Sequence, residues 1–381
     1  MKFCVISSFP PKHCGIAEFN QDLMVELLPL LSLPQLVSVA INEGDEFINS
    51  YPVDVRFQIR KNYLTDYLKA ADFINSIKPD VVLLQHEFGL FGGYCGKYAL
   101  DLIQNINKPI ICILHTIPIK KYAHKPITKK IFFLGANPRV KKFIVIAPEG
   151  KTKLVSYGIS PGKITIISHG APDISTLKSF KLHQELNLTP NDFIVFSFGL
   201  LHPRKGLDYA ILAMKDIARK KINCRLVIYA LPLRGKDNEA YFLKLKSLIR
   251  TLHLEQHIFF KRAYLSKEQL YACINACDVG ILPYTYKSYI SSGVLSFFSA
   301  ALKPVITTHF PYADYLLNQD STYFVPNRNS RAITEGIIKY MTDKSFYQSV
   351  TANLLRLKPS ILWKNKAKEY LQIINEVISS S

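Results

Sequence analysis

The sequence has no Cys-x-x-Cys pair, no Gly-x-Gly-x-x-Gly fingerprint, no Asp-x-Asp pair and no apolar run near the ~18 residues of a membrane span. Each absence excludes a class. Seven cysteines, an odd number without close pairs, argue against a disulfide scaffold. Cys273 and Cys277 stand four apart with no histidine cluster nearby, so no metal site is expected there. The missing glycine fingerprint argues against a dinucleotide cofactor, and the missing Asp-x-Asp leaves no obvious metal clamp. The short apolar start, Met1 to Ile6, is broken by Ser7-Ser8-Phe9-Pro10-Pro11, which is not a signal-peptide pattern. A cytoplasmic protein is expected. Acidic residues are scarce as well: 29 Asp and Glu against 48 Lys and Arg give a net charge of +19 and a pI of about 9.5. Such a balance suits phosphorylated ligands, an anionic membrane surface or a polyanion. No DNA- or RNA-binding module is present and the basic residues are dispersed, so a nucleic-acid partner is not expected.

What is present is α/β in rhythm. At 381 residues and 48% hydrophobic content the chain suits two domains with ample cores. Lys2 to Ser7 reads as a buried strand, followed by a Pro/Gly loop and a helix from Glu18 to Leu28. Gly15 in that loop either makes a turn or admits a ligand close to the backbone. Further strands are expected at Leu36–Ile41, Val53–Ile59, Asp80–Gln85, Pro109–Thr116, Lys142–Ala147 and from Ile164, with helices at Leu64–Ile77 and Lys151–Tyr157. Cys4 and Cys112 read as buried free thiols. His86 and Glu87 follow one strand directly and His115 ends another. Open α/β sheets bind ligands at such strand ends, so these are candidate contacts to a sugar or phosphate, or structural hydrogen-bonding groups. Lys120, Lys121, His124, Lys125, Lys129 and Lys130 crowd one segment, read as a solvated basic loop or as an attraction for anionic lipid head groups or a phosphorylated acceptor. From Asp173 to Asn191 the chain turns polar and punctuated, which marks a domain boundary.

The pattern restarts at Ile194–Phe198. Arg204, Lys205 and Gly206 then sit at a strand-to-helix turn, where two cations suit a diphosphate or form an ordinary charged turn. Strands are expected at Arg225–Ala230, Ile258–Lys261, Asp278–Tyr284 and Thr322–Val325. Helices are expected after Asp208 through Ile211, Leu212, Met214 and Ile217, at Asn238–Leu252, Ser266–Ala276, Ala332–Thr342 and Phe346–Leu357, and last from about Ile361 to Ile378. Between them, Tyr289 to Thr308 reads as loop, helix, turn and strand. Ser291 or Ser292 is a natural N-cap and Gly293 permits close approach, so the helix start suits a phosphate or is simply a capped helix.

Several blocks together resemble glycosyltransferase family 4, of the GT-B fold, and within it a bacterial mannosyltransferase-like branch. They are Pro10-Pro11-Lys12-His13-Cys14-Gly15-Ile16-Ala17, Gln85-His86-Glu87-Phe88-Gly89-Leu90-Phe91-Gly92-Gly93, Ser168-His169-Gly170-Ala171-Pro172, Phe198-Gly199-Leu200-Leu201 with Lys205-Gly206, Leu282-Pro283-Tyr284 and Ile290-Ser291-Ser292-Gly293. The resemblance implies two Rossmann-like parallel-sheet domains facing across a cleft, with the C-terminal helix crossing back. Residues 1–175 would form the acceptor domain, 176–358 the nucleotide-sugar domain and 359–381 the returning helix. It implies a retaining transferase that moves a hexose, mannose favoured, from a nucleoside diphosphate sugar to a glycan or glycolipid hydroxyl, without a metal or other cofactor and with peripheral contact to an anionic membrane face. Other implied functions are a donor-binding homologue without turnover and a GT-B epimerase or phosphorylase. Lys205 and His115 would be catalytic. Gly15, Arg204, Ser291 and the N–H groups of Ser292, Gly293 and Val294 would join Lys205 around the donor, with His86 and Glu87 as sugar or acceptor contacts. The chain departs from the family pattern at Leu200, where an arginine is usual, at Tyr289 and Phe297, where glutamates are usual, and at Leu302, where a glycine is usual.

Overall fold

The computed structural model describes residues 1–117, 126–175, 189, 191–233 and 235–380. Two compact units emerge, one formed by residues 1–170 with 363–381, the other by 171–362.

The first unit is a seven-stranded parallel sheet. Its chain order is β1 (Lys2–Ser7), α1 (Gly15–Leu27), β2 (Gln35–Asn42), β3 (Val55–Arg60), α2 (Leu64–Ile77), β4 (Val81–His86), α3 (Tyr98–Asn105), β5 (Ile110–Leu114), α4 (Pro126–Ala136), β6 (Val140–Val145), α5 (Pro148–Ser156) and β7 (Ile164–Ile166). The strands lie in the order β3-β2-β1-β4-β5-β6-β7. Phe3 pairs with Val81 on one side and Leu36 on the other, so β1 and β4 are central. Every residue of β4 and β5 is buried, as expected for strands covered on both faces. The chain runs outward from β1 through β2 to β3 and then returns to β4, which makes the β1–β4 junction the switch point where such sheets take ligands.

The second unit repeats the plan with six parallel strands. It contains β8 (Phe193–Leu201), α6 (Leu207–Arg219), β9 (Cys224–Pro232), α7 (Lys236–Thr251), β10 (Ile258–Lys261), α8 (Lys267–Ala276), β11 (Val279–Leu282), α9 (Gly293–Ala300), β12 (Val305–Thr308), α10 (Pro311–Leu316), β13 (Tyr323–Val325), α11 (Ser330–Thr342) and α12 (Lys344–Ile361). Its strand order β10-β9-β8-β11-β12-β13 puts the switch point between β8 and β11. The last helix, α13 (Trp363–Ser379), belongs to the first unit and packs on α1.

Three helices fall where none was expected: α3, α4 and α10. Lys129 and Lys130, expected in a basic loop, lie on α4, and Lys130 is buried at 3% exposure. The other basic positions of that segment, Lys120, Lys121, His124 and Lys125, lie outside the described residues. Cys4 and Cys112 are buried free thiols, and burial pushes both up to about 12. Among the described residues no helix is long and apolar enough to cross a membrane.

Candidate functional site

In the second unit four chain segments converge at the switch point. β8 reaches Gly199 with φ of +116°, in the left-handed region that favours glycine. A Cβ built on Gly199 would touch Val294 of α9 at 3.8 Å, so the first turn of α9 lies against the strand end. After β8 the chain makes a 3-10 turn over Pro203–Lys205 and enters α6 through Gly206. Gly206 has φ of +65°, and a Cβ there would sit 2.1 Å from the Pro283 carbonyl oxygen, just beyond β11. Thr285 N–H also donates to the Arg204 carbonyl at 2.9 Å. The cationic turn and the end of β11 are therefore locked together by backbone contacts that only glycine permits.

That lock aims Lys205. Its ammonium donates to the Tyr284 hydroxyl at 2.9 Å and lies 4.2 Å from the centre of the Tyr284 ring and 5.7 Å from that of Tyr289. The Arg204 guanidinium stacks on Tyr286 at 4.5 Å. Tyr289 meets Tyr284 and Tyr286 edge-on at 5.2 and 5.1 Å. Among the described residues neither Arg204 nor Lys205 forms an ion pair. Ring faces hold a cation in place without neutralising it, so the positive charge remains available to an incoming anion. A pocket beside β8 is lined by Gly199, Leu200, Lys205 and Tyr284, with Ile228 and Ala230 of β9 behind them.

Ser292 is the N-cap of α9; its hydroxyl accepts from the Leu295 N–H at 3.3 Å. Ser291 lies one residue outside the helix and is half-buried. Gly293 and Val294 open the helix, where N–H groups have no intrahelical partner and the dipole is positive. Arg204, Lys205, Ser292, Gly293 and Val294 thus gather at one strand-end junction. Phe297 sits one turn further along, stacked on Phe198 at 6.4 Å and edge-on to Tyr271 at 6.2 Å. The positions where the resemblance expects glutamates are aromatic and packed. Leu302, in the turn after α9, adopts φ of +59°, a left-handed backbone that a leucine resists.

In the first unit the candidates cluster around the β1–β4 junction. Gly15 is the first residue of α1, is exposed, and has nothing within 4 Å of a built Cβ, so the fold itself does not require glycine there. His115 follows β5. Its Nε2 lies 2.8 Å from Gln85 Oε1, and Gln85 Nε2 donates to Asn20 Oδ1 at 3.3 Å. Phe19 packs edge-on against three rings: His115 at 4.7 Å, His169 at 4.9 Å and Trp363 at 4.8 Å. Burial, with a smaller repulsion from His169, lowers His115 to about 3; burial lowers His169 to about 4, partly opposed by its bond to the Gly170 carbonyl. Both rings are therefore neutral near pH 7.

His86 does not present its ring to solvent. It ends β4 at 1% exposure, stacked on Phe91 at 5.4 Å and edge-on to Phe88 at 5.0 Å, with neither ring nitrogen partnered among the described residues. Burial, then the charge of Lys130, holds it well below the usual histidine range. Glu87 is half-buried; burial raises its carboxyl, while bonds from Thr116 and the N–H groups of Phe88 and Gly89 oppose that. Gly92 of the following loop is structural. A Cβ on Gly92 would collide with the Lys61 carbonyl oxygen, and the Gly92 N–H donates to the Tyr67 hydroxyl at 2.9 Å. Asn20 and Gln85 join this site without belonging to any candidate set read from the sequence; the available signals are a polar amide directly after the apolar run Val81–Leu84 and an asparagine on the apolar face of α1.

Residues 178–354 match the model of the family Glycosyl transferases group 1. That segment spans all six strands of the second unit, with Lys205 and the Ser292 cap. Solved structures match the whole chain. Alr3699/HepE of Anabaena, in complex with UDP and glucose, is 15% identical with a TM-score of 0.79, over 99% of this chain and 100% of that one. A sucrose-phosphate synthase from Thermosynechococcus elongatus is 16% identical with a TM-score of 0.80, over 100% of both chains. A glycosyltransferase from Rickettsia africae ESF-5 is 15% identical with a TM-score of 0.75, over 100% and 99%. No curated protein matches the chain by sequence. The fold is thus GT-B, with two Rossmann-like parallel-sheet domains, and the group 1 segment is the one that carries the uncompensated cations.

Proposed function

We propose that the chain is a retaining glycosyltransferase that moves a hexose, with mannose favoured, from a nucleoside diphosphate sugar to a hydroxyl of a glycan or glycolipid. The observation that carries this reading is the Lys205 ammonium, fixed by Tyr284 yet free of any ion pair among the described residues, beside the Ser292-capped start of α9. In the transfer the bond from the anomeric carbon to the diphosphate breaks, the acceptor oxygen bonds to that carbon, and the acceptor proton leaves to the diphosphate or to solvent. The barrier falls when the charge growing on the diphosphate meets fixed positive groups. Lys205 would bind the diphosphate, Arg204 would assist, and the N–H groups of Ser292, Gly293 and Val294, with the Ser291 hydroxyl, would cap its distal phosphate. On this reading the protein's own cations supply the neutralisation and no metal is needed; activity should persist in EDTA. Gly15, whose missing side chain the fold does not explain, would admit the donor to the first domain, and His115 would accept a hydrogen bond from the transferred sugar. Glu87 is the better placed of the two remaining candidates for an acceptor contact, since His86 is enclosed. The match to the group 1 model and the UDP and glucose in the HepE structure support a nucleotide-sugar donor. Exposed Phe132 and Phe133 on α4, beside exposed Lys129, support peripheral contact with an anionic membrane on the cytoplasmic side.

A thermal-shift panel of UDP, GDP and their sugars tests the donor, because a ligand that binds the folded chain raises its melting temperature. Release of free nucleoside diphosphate with an acceptor mixture tests turnover. A second reading, a donor-binding homologue without turnover, is favoured by the aromatic residues at 289 and 297 and by the strained Leu302. It would show melting shifts and no diphosphate release.

A further inference from the structure

A neutral imidazole carries one N–H, and which nitrogen holds it decides what the other can do. At His115 the surroundings favour one answer. Gln85 is fully buried on β4; its amide nitrogen donates to the Asn20 oxygen at 3.3 Å and its oxygen faces His115 Nε2 at 2.8 Å, while the buried Asn20 amide nitrogen has no partner among the described residues. An oxygen at that distance accepts; it requires a hydrogen on Nε2. Nδ1 is then left with a lone pair. Phe19 meets the ring edge-on at an interplanar angle of 89°, which blocks the rotation that would exchange the two nitrogens. Among the described residues the titratable neighbours of the ring are His86 at the end of β4 and His169 in the turn after β7, both held neutral by burial, and no carboxylate there competes to stabilise an imidazolium.

We propose that Gln85, held by Asn20, is a positioning residue that selects the Nε2–H tautomer of His115 and thereby keeps Nδ1 as an acceptor for a hydroxyl of the transferred sugar. This rests on the reading of His115 as a sugar contact. A histidine serving as acceptor must remain unprotonated across the working pH range, and an amide oxygen achieves that where a carboxylate would not. A carboxylate in the same place would stabilise the doubly protonated ring and convert Nδ1 from an acceptor to a donor.

The first experiment is independent of any activity. The full chain, labelled with 15N-histidine, is recorded at pH 7.5 by two-bond 15N–1H correlation, and His115 is assigned by the signal lost in His115→Gln. The Nε2–H pattern is expected in the unmodified chain, and a mixed or switched pattern in Gln85→Leu. An Nδ1–H pattern in the unmodified chain overturns the proposal. The second experiment uses Gln85→Glu, which keeps the volume of the side chain. Its His115 signals should titrate to the imidazolium well above the pH at which the unmodified ring does. Donor turnover should fall at least about tenfold below that pH and recover above it, with donor KM little changed, because a hydrogen bond worth about 1.4 kcal/mol is a factor of ten. Loss of turnover that is equal at all pH values, or no loss at all, overturns the positioning role. If the Nε2–H pattern is seen and Gln85→Glu nonetheless turns over as the unmodified chain does, the sugar contact assigned to His115 falls while the tautomer assignment stands.

Discussion

Lys205 is held by Tyr284 in two ways at once: its ammonium donates to the phenol oxygen at 2.9 Å and rests 4.2 Å from the centre of the same ring. The pairing orients a cation without cancelling its charge. A carboxylate in place of the phenol would do the first and undo the second. Lys205→Ala should therefore cut donor turnover by about a hundredfold to a thousandfold, the usual loss when one group that meets transition-state charge is removed. The melting temperature should hardly move, since the residue is only half-buried and has no ion pair to lose among the described residues. Tyr284→Phe, which keeps the ring and removes the oxygen, should retain more turnover than Tyr284→Leu. Steady-state kinetics with thermal melts of the three variants checks the order; full turnover in Lys205→Ala removes the assignment.

Gly206→Ala should be far more damaging than its size suggests. The backbone is left-handed at φ +65°, and the new methyl would meet the Pro283 carbonyl oxygen at 2.1 Å. The cost is expected to be at least about 2 kcal/mol, combining backbone strain and displacement. Urea unfolding should show a lower midpoint. Binding of a nucleoside diphosphate to the folded fraction should weaken as well, because the contact with Pro283 sets the position of the Lys205 turn.

Leu302→Gly should act in the opposite direction. Leu302 holds φ +59° in the turn where α9 ends, and Lys303 N–H donates to the Phe298 carbonyl at 2.9 Å across it. Glycine at such a helix end relieves roughly 1 kcal/mol of left-handed strain, less the packing of a half-buried leucine. Chemical unfolding should show a gain of a few tenths of a kcal/mol to about 1 kcal/mol. A loss would mean that the leucine side chain contributes more than its backbone costs.

Stability should fall with acid before most carboxylates titrate. His86 and His169 are buried and their affinity for protons is depressed, to about 4 for His169. In the unfolded chain both titrate near 6.5. Between those values the unfolded state binds more protons, so stability is complete above about pH 6.5 and declines as pH falls toward 4. Each such histidine costs about 1.4 kcal/mol per pH unit over that window. Urea midpoints at pH 7.5 and 5.5 measure the slope. Replacing His169 with glutamine should flatten it, and an unchanged slope would show that His169 is not held neutral.

The strands were legible because their apolar runs are continuous and end in Pro, Gly or His. β1, β4, β5 and β11 stand within a residue or two of where the sequence pattern places them, and β8 runs three residues beyond Phe198. α10 was not legible, because six residues after Phe310 are too few for a 3.6-residue period to declare itself. α4 was hidden by its lysines, since a charged residue inside a helix is read as solvated unless its partners are known. The sequence leaves Ser291 and Ser292 as alternative N-caps and the structure decides for Ser292, because only backbone geometry distinguishes adjacent hydroxyls. The chain Asn20–Gln85–His115 was out of reach. Its members are 65 and 30 residues apart, and no local spacing pairs an amide on one helix with one strand end and the next.

Lys130 has a consequence of a different kind. Its amine is buried beneath the loop after β4, donating to the Gly96 carbonyl and, at 3.4 Å, to that of Cys95, between the rings of Phe88 and Phe91. Burial lowers it to about 8, so in mildly alkaline solution much of it is an uncharged nucleophile that no reagent can reach. Its rate of acylation would count the openings of that loop, which makes this one buried side chain a natural clock for the segment that carries Glu87.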